Sequence, residues 1–477
     1  MTIEDRLQKA LDRRTADGSL RSLIFSSSGE EITQESKSTK LPTRKQITDF
    51  SSNDYLGLAH CPQQLEKVSK KFETFRKMLF QSHDENNTSI PPLLGATGSR
   101  LLSGDSFLSN KVEKELAEIH NREGALLFNS GYDANLSVLS CIPLPQDFII
   151  MDDLCHNSII MGVRMGRGRN DNITKVSGEV IMFKHNDSSH LNQILKDIES
   201  RVLGDSKIFI VVESVYSMDG DIAPLTEIFH LAEIHKASVI IDEAHGLGVY
   251  GITNCDDLNI TNKKTLRANQ IECGGGTGVL AALGLETHPN CLCSVHTFGK
   301  AAGCHGAVVA APTTVIQYLI NYARPFIYST ALPPHSIISI KCAYETMLSK
   351  EGERRRSKVF HLVDLFRKEA MKRNIPLLKS PSPIQAVLTN RLAHKYKSKM
   401  SNNEACIYLA KRIRQNGMSV YPIRYPTVKN GEERIRIILH SHNTEQDVKR
   451  LLNVLKDAFY GSQQSFNEEK SIRLSRL

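Results

Sequence analysis

No stretch of this 477-residue chain is apolar for the roughly 20 residues needed to cross a bilayer. Its start, Met1-Thr2-Ile3-Glu4-Asp5-Arg6, has acids where a signal peptide would need a basic and then an apolar region, so secretion is not expected. A cysteine framework is also missing. The ten cysteines are scattered, and the nearest two, Cys291 and Cys293, have no second pair at metal-ligand spacing. They read as buried thiols in a reducing compartment, and no metal site is expected. No internal repeat is evident, and no basic helix is interleaved with aromatics in the way that nucleic-acid binding favours. The formal charge of +8, with Lys and Arg dispersed among Asp and Glu, suits a polyanionic small molecule or an ordinary solvated surface.

What the chain does have is apolar residues, 40% of the total, enough for a large domain and a smaller one. Short runs recur at Phe148–Met151, Val180–Phe183, Ile208–Val212, Val239–Ile241 and Ala307–Ala310, and such runs suit strands buried on both faces. Between them lie segments with helical spacing, such as Val112, Leu116 and Ile119, or Leu225, Ile228 and Leu231 after Pro224. This alternation predicts an α/β domain with a mostly parallel central sheet over residues 60–332. Residues 1–59 read as an N-terminal segment. From Pro333-Pro334 to residue 460, charged helices, a strand at Arg434–Leu439 and a closing helix over Glu445–Tyr460 predict a small α+β domain. Residues 461–477 read as a polar tail. Loops are expected just before Pro92 and across 252–276.

Two separated motifs carry chemistry. Thr297-Phe298-Gly299-Lys300 presents a lysine after a small-residue turn, and Ile240-Ile241-Asp242-Glu243-Ala244-His245-Gly246 reads as a buried strand ending in an acid and a histidine. Together they suit pyridoxal phosphate. The lysine can form a Schiff base, and the aspartate can keep the pyridine nitrogen protonated so that the ring acts as an electron sink. Each alone has an ordinary alternative, a solvated lysine and a helix-capping aspartate. Asn129-Ser130-Gly131-Tyr132-Asp133 is a glycine turn leading into a helix, whose exposed N–H groups and dipole suit a phosphate. Arg434 and Arg436 alternate on their strand and share one side of it, so either can serve as a fork for a substrate carboxylate. His156, in Asp152-Asp153-Leu154-Cys155-His156-Asn157-Ser158, follows a strand and opens a helix. Locally it can equally be an exposed histidine beside a helix cap.

Two further segments, Ser51-Ser52-Asn53-Asp54-Tyr55-Leu56-Gly57-Leu58 and Gly98-Ser99-Arg100-Leu101-Leu102-Ser103-Gly104, extend the pattern along the chain. With them the sequence, from about Arg21 to about Lys456, resembles the α-oxoamine synthases. These are fold-type I pyridoxal-phosphate transferases that join an amino acid to an acyl-CoA with loss of carbon dioxide. The second segment looks most like the biotin-pathway branch, which uses L-alanine and a pimeloyl thioester carried by coenzyme A or a carrier protein.

The resemblance implies roles for Lys300 as anchor and Cα base, Asp242 on the pyridine nitrogen, His245 on the phenolic oxygen and His156 stacked on the ring. It further implies cofactor contacts for Gly131, Tyr132, Glu213, Ser217 and Thr297. Thr330 would reach the phosphate of a neighbouring subunit, which implies a homodimer with composite sites. Arg21, Asn53, Thr427, Arg434 and Arg436 match substrate-contacting positions, although Lys429 stands where the family often has proline. The chain between Gly251 and the lysine motif is also longer than the family pattern. Within the family, glycine or serine with another acyl-CoA is the alternative reaction, and a non-catalytic partner subunit is a second alternative, disfavoured by the presence of Lys300. The ending Ser475-Arg476-Leu477 resembles a tripeptide read by the peroxisomal import receptor, and a peroxisomal location is expected in preference to a cytoplasmic one.

Overall fold

The computed structural model describes residues 2–16, 20, 47–81, 92–167, 178–202, 204–251, 275–395, 400–425 and 427–461. Arg21, the loop before Pro92, most of the 252–276 insertion and the tail with Ser475-Arg476-Leu477 lie outside the described residues.

Twelve strands are found among the described residues: β1 (Thr48–Asp49), β2 (Gly124–Phe128), β3 (Phe148–Asp152), β4 (Val180–Phe183), β5 (Ile208–Glu213), β6 (Ser238–Asp242), β7 (Cys291–Thr297), β8 (Ala307–Ala311), β9 (Ile384–Leu388), β10 (Met418–Ser419), β11 (Tyr421–Ile423) and β12 (Arg434–Ile438). Seven form the central sheet in the order β2-β8-β7-β6-β5-β3-β4. All pairs are parallel except those of β8, which runs antiparallel to both β2 and β7. The protein is thus an α/β structure with a mostly parallel sheet flanked by helices, the architecture expected from the sequence.

The five apolar runs form β3, β4, β5, β6 and β8. Burial of both sheet faces is what selects β-branched residues there: all six residues of β5 and all five of β3 are buried. One central strand, β7, has no such signature. In β7, Cys-Leu-Cys-Ser-Val-His-Thr, the buried polar pair Ser294 and His296 is accommodated because Ser294 Oγ bonds His296 Nε2 at 2.8 Å. Cys291 and Cys293 are both buried in this strand.

The C-terminal unit is built on the antiparallel sheet β11-β12-β9 and closed by the helix Glu445–Tyr460, which starts in a capping box at Thr444. The helix after Pro333-Pro334, where the small domain was expected to start, packs with the central sheet. The helix Pro334–Met347 buries Ile337, Ile340, Ala343, Tyr344 and Met347 in the core of the large domain. Prolines mark helix starts as readily as domain borders, and only packing distinguishes the two. Part of the N-terminal segment also joins the small domain: β1 pairs with β10, and Phe50 is buried in the C-terminal core.

Candidate active site

Parallel strands end together at their carboxyl edge, the place where open α/β sheets bind ligands. Register brings Glu213 opposite Asp242, and Asp242 opposite Val295, so the ends of β5, β6 and β7 lie side by side. The turn after β7 carries Lys300 to this edge. A Cβ at Gly303, whose φ is +62°, would lie 2.4 Å from the backbone nitrogen of Ala59. Glycine is therefore what lets the lysine turn close against the segment that carries Asn53 and Tyr55.

Lys300 Nζ lies 2.7 Å from His245 Nε2, and His245 Nδ1 lies 2.6 Å from Tyr55 Oη. Burial holds the His245 imidazole well below its ordinary pKa, aided by the positive charges of Lys300 and Arg436. A neutral ring that accepts from Lys300 and donates Nδ1–H to Tyr55 satisfies all three groups. Burial also lowers the Lys300 amine to about 8, against the opposing charges of Asp242 and Glu213.

Asp242, at the end of β6, accepts from Ala244 N–H at 2.8 Å and from Asn135 Nδ2 at 2.7 Å. The same Asn135 amide donates to Ser158 Oγ at 3.0 Å, and Ser158 Oγ lies 2.7 Å from His156 Nδ1. One hydrogen-bonded line thus joins the acid to the exposed imidazole of His156. Glu213 is buried beside them and its pKa is raised, first by burial and then by Asp242. Its Oε1 has no partner among the described residues. Glu243 turns the other way and accepts from Val279 and Leu280 N–H, which ties the exit of the 252–276 insertion to the residue after Asp242.

At the start of helix Gly131–Cys141, Ser130 Oγ caps Asp133 N–H at 3.0 Å, while other first-turn N–H groups lack intrahelical acceptors. A Cβ on Gly131 would lie 2.0 Å from Thr297 Oγ1, so only glycine lets the hydroxyl and the helix start meet. This is a cradle suited to a phosphate. Tyr132 stands half exposed beside it, and Thr330 is exposed, its carbonyl accepting from Asn129 Nδ2 at 2.9 Å.

The two arginines of β12 separate. Arg434 pairs with Asp219 and donates Nε–H to the Glu432 carbonyl at 2.9 Å. Arg436 donates to Asn53 Oδ1 at 2.8 Å and keeps a buried Nε that has no partner among the described residues. Its field also reaches Lys300 and His245. Ser217 is half buried in the loop after β5, two residues before Asp219. Thr427 is exposed in a turn, its N–H bonded to the Arg424 carbonyl, with neighbouring Lys429 3.2 Å from Asp153. Tyr55, Asn135 and Ser158 belong to the site but were not singled out by motif reading. Tyr55 lies in the Ser51–Leu58 motif and Ser158 in the one around His156, whereas Asn135 is an ordinary helix residue, and the link between Asn135 and Ser158 arises only where two helices meet.

The donor set fits pyridoxal phosphate. It offers a buried amine of lowered pKa, a hydrogen-bonded carboxylate at the sheet edge and a glycine-lined helix start. Comparison with known proteins agrees. Residues 45–455 match the family of class I and II aminotransferases. An 8-amino-7-oxononanoate synthase of Emericella nidulans is 34% identical over 464 residues, covering 95% of each chain. Among solved structures, a serine palmitoyltransferase of Sphingomonas wittichii superposes with a TM-score of 0.72 at 21% identity, covering 96% of this chain and 98% of that one. An 8-amino-7-oxononanoate synthase of Francisella tularensis superposes with a TM-score of 0.62 at 24% identity, covering 86% and 97%. The two structures share the fold, and the family match and the fungal relative span nearly the whole chain, so the protein belongs to the class I and II aminotransferase family and, within it, to the pyridoxal-phosphate-dependent α-oxoamine synthases.

Proposed function

We propose that this enzyme condenses L-alanine with pimeloyl-CoA to give 8-amino-7-oxononanoate, coenzyme A and carbon dioxide, a step of biotin biosynthesis. The observation that carries the reading is the buried Arg436 Nε, without a partner among the described residues, whose charge reaches the Lys300–His245 pair, in a chain similar throughout to a protein named for that product.

Pyridoxal phosphate, held by Lys300, Asp242 and the Gly131 turn, supplies the electron sink that makes an amino-acid Cα–H acidic. Arg436 binds the amino-acid carboxylate, and Asn53 fixes the guanidinium plane from the far side. Lys300 Nζ takes the Cα proton, and its lowered pKa leaves much of the amine neutral near pH 8. Ala244 N–H and Asn135 hold both oxygens of Asp242, the carboxylate that would partner the pyridine nitrogen of the bound cofactor. The alanine carbon then attacks the thioester carbonyl, coenzyme A leaves, and decarboxylation of the β-keto acid is followed by return of a proton from Lys300.

Titration of the purified holoenzyme with L-alanine, glycine and L-serine tests the substrate while the visible band is followed, with pimeloyl-CoA added last. A response to alanine that pimeloyl-CoA strengthens is expected. A band moved only by glycine or serine would assign a sister reaction, and a protein without a band would be a partner subunit. Arg436→Lys should weaken alanine binding about tenfold, since a point charge replaces a fork. The same preparation should run at the mass of a homodimer, a reading supported by the exposed Thr330 and by the outward Ile3, Leu7 and Leu11 of helix Ile3–Ala16. For location, the proposal is peroxisomal import through Ser475-Arg476-Leu477. A fluorescent protein fused at the N-terminus should be punctate, and removal of the three residues should disperse it; a punctate pattern that survives the deletion would refute the signal.

A further inference from the structure

Outside the catalytic group lies a second set of charges that the reaction does not use. His185, after β4, is held between two carboxylates: Nδ1 lies 2.8 Å from Asp152 Oδ1, and Nε2 lies 2.8 Å from Asp221 Oδ2. Neighbouring Asn186 repeats the link, with its N–H donating to Asp152 Oδ2 at 2.9 Å and its side-chain amide to Asp221 Oδ2 at 2.7 Å. The Tyr216 ring stands edge-on to the imidazole, with centroids 4.4 Å apart. Burial alone would lower the pKa of His185, but the two carboxylates reverse that and raise it to about 10. An imidazole that donates from both nitrogens has no lone pair for a metal, so the neighbouring Asp153 and Asp219 do not complete a cation site.

The chain of charges continues across the domain border. Asp219, two residues before Asp221, pairs with Arg434 of β12, and Ser380 Oγ of the small domain donates to the Gly220 carbonyl between them at 2.8 Å. A Cβ at Gly220, whose φ is +76°, would lie 2.4 Å from the Ile384 carbonyl, so the loop and the small domain are in close contact. Every anchor of this line sits a few residues from a site group. Asp152 precedes His156 by four positions, Asp219 follows Ser217 by two, and Arg434 precedes Arg436 by two on one strand.

We propose that His185 is a positioning residue, a cationic strut that locks the loop after β5 to the large domain so that Asp219 and Arg434 hold β12, and with it Arg436, at a fixed distance from Lys300. His185 therefore sets affinity for the amino-acid carboxylate without touching substrate or cofactor. The argument rests on the reading of Arg436 as the carboxylate fork.

The test uses the full-length holoenzyme with His185→Gln, Arg434→Gln and the double variant. Half-saturation by L-alanine is read from the visible band, together with KM for alanine and for pimeloyl-CoA. His185→Gln should keep the cofactor band and the thioester KM, and should raise the alanine half-saturation about tenfold, the scale of coupling through such networks. Because both residues act through one line, the double variant should bind alanine no more weakly than the worse single one. Should His185→Gln not yield soluble protein, Asp221→Asn removes one charge of the strut with little change of shape and is read in the same way. Unchanged alanine binding overturns the proposal, and so does loss of the cofactor band or an equal rise in both KM values, which marks a merely structural role. If wild-type enzyme shows no response to alanine, glycine or serine, the carboxylate reading of Arg436 fails instead.

Discussion

Alanine in place of Lys300 should abolish turnover while leaving the fold intact. The proton-transfer role alone is typically worth about 10²–10⁴ in rate, and loss of the covalent anchor adds to it. At ~1.4 kcal/mol per tenfold, a barrier increase of ~5 kcal/mol or more is expected. Single-turnover assays with alanine and pimeloyl-CoA check this, and activity within tenfold of wild type would remove Lys300 from the mechanism. Stability should move the other way. The amine is lowered from 10.5 to about 8 in the fold, so between those values the unfolded chain binds more protons than the folded one. Burying the lysine therefore costs stability that grows as pH falls through this window and is fully present below it. Lys300→Ala removes the cost, and apo-protein melting at pH 7 should show no decrease. The same sign governs the rate: the free amine accepts a proton more readily as pH rises toward and through about 8, until another group limits.

Replacement of Asp242 should be nearly as severe. Alanine there removes the carboxylate proposed to partner the pyridine nitrogen, and a loss of about 10³ in kcat, or ~4 kcal/mol, is expected. Asn is the sharper probe because it keeps the size. It can still accept from Ala244 N–H, but its amide would face the Asn135 amide donor that now sits 2.7 Å from Asp242 Oδ2. Either Asn135 turns, breaking its 3.0 Å bond to Ser158, or two donors face each other. Asp242→Asn should thus lower kcat and also disturb His156, read as a shift of the visible band. A variant with wild-type kcat would show that charge at this position is not needed.

Much of this site was legible in the chain because its chemistry is local. Asp242 ends β6, a buried parallel strand that announces itself by the apolar run Val239–Ile241, and His245 and Lys300 follow three residues beyond β6 and β7 in short motifs of their own. Gly131 is legible for a similar reason, since a helix start that approaches Thr297 so closely tolerates no Cβ. Less was legible where packing decides. β7 carries Ser294 and His296 inside the sheet, a polarity that no strand pattern suggests until the two side chains are seen to bond each other. The packing of the helix after Pro333-Pro334 was not legible either: its Ile337, Ile340 and Met347 share a core with the central sheet.

The arginines show the division most clearly. Period-two alternation put Arg434 and Arg436 on one side of a strand, and that much is backbone geometry that any extended segment obeys. What separates them is Asp219, more than 200 residues earlier, which pairs with Arg434, while Arg436 lies beside Asn53; the proposal of Arg436 as the carboxylate fork rests on that difference. In the same way Asn135, Ser158 and His185 acquire their roles from partners on other elements. The sequence by itself determined the α/β class and pointed to the cofactor, because these follow from local periodicity and from side-chain chemistry around strand ends. Only the tertiary structure decided which ionic groups are spent on one another and which stay available, because pairing of charges depends on distances of a few ångströms that no linear spacing encodes.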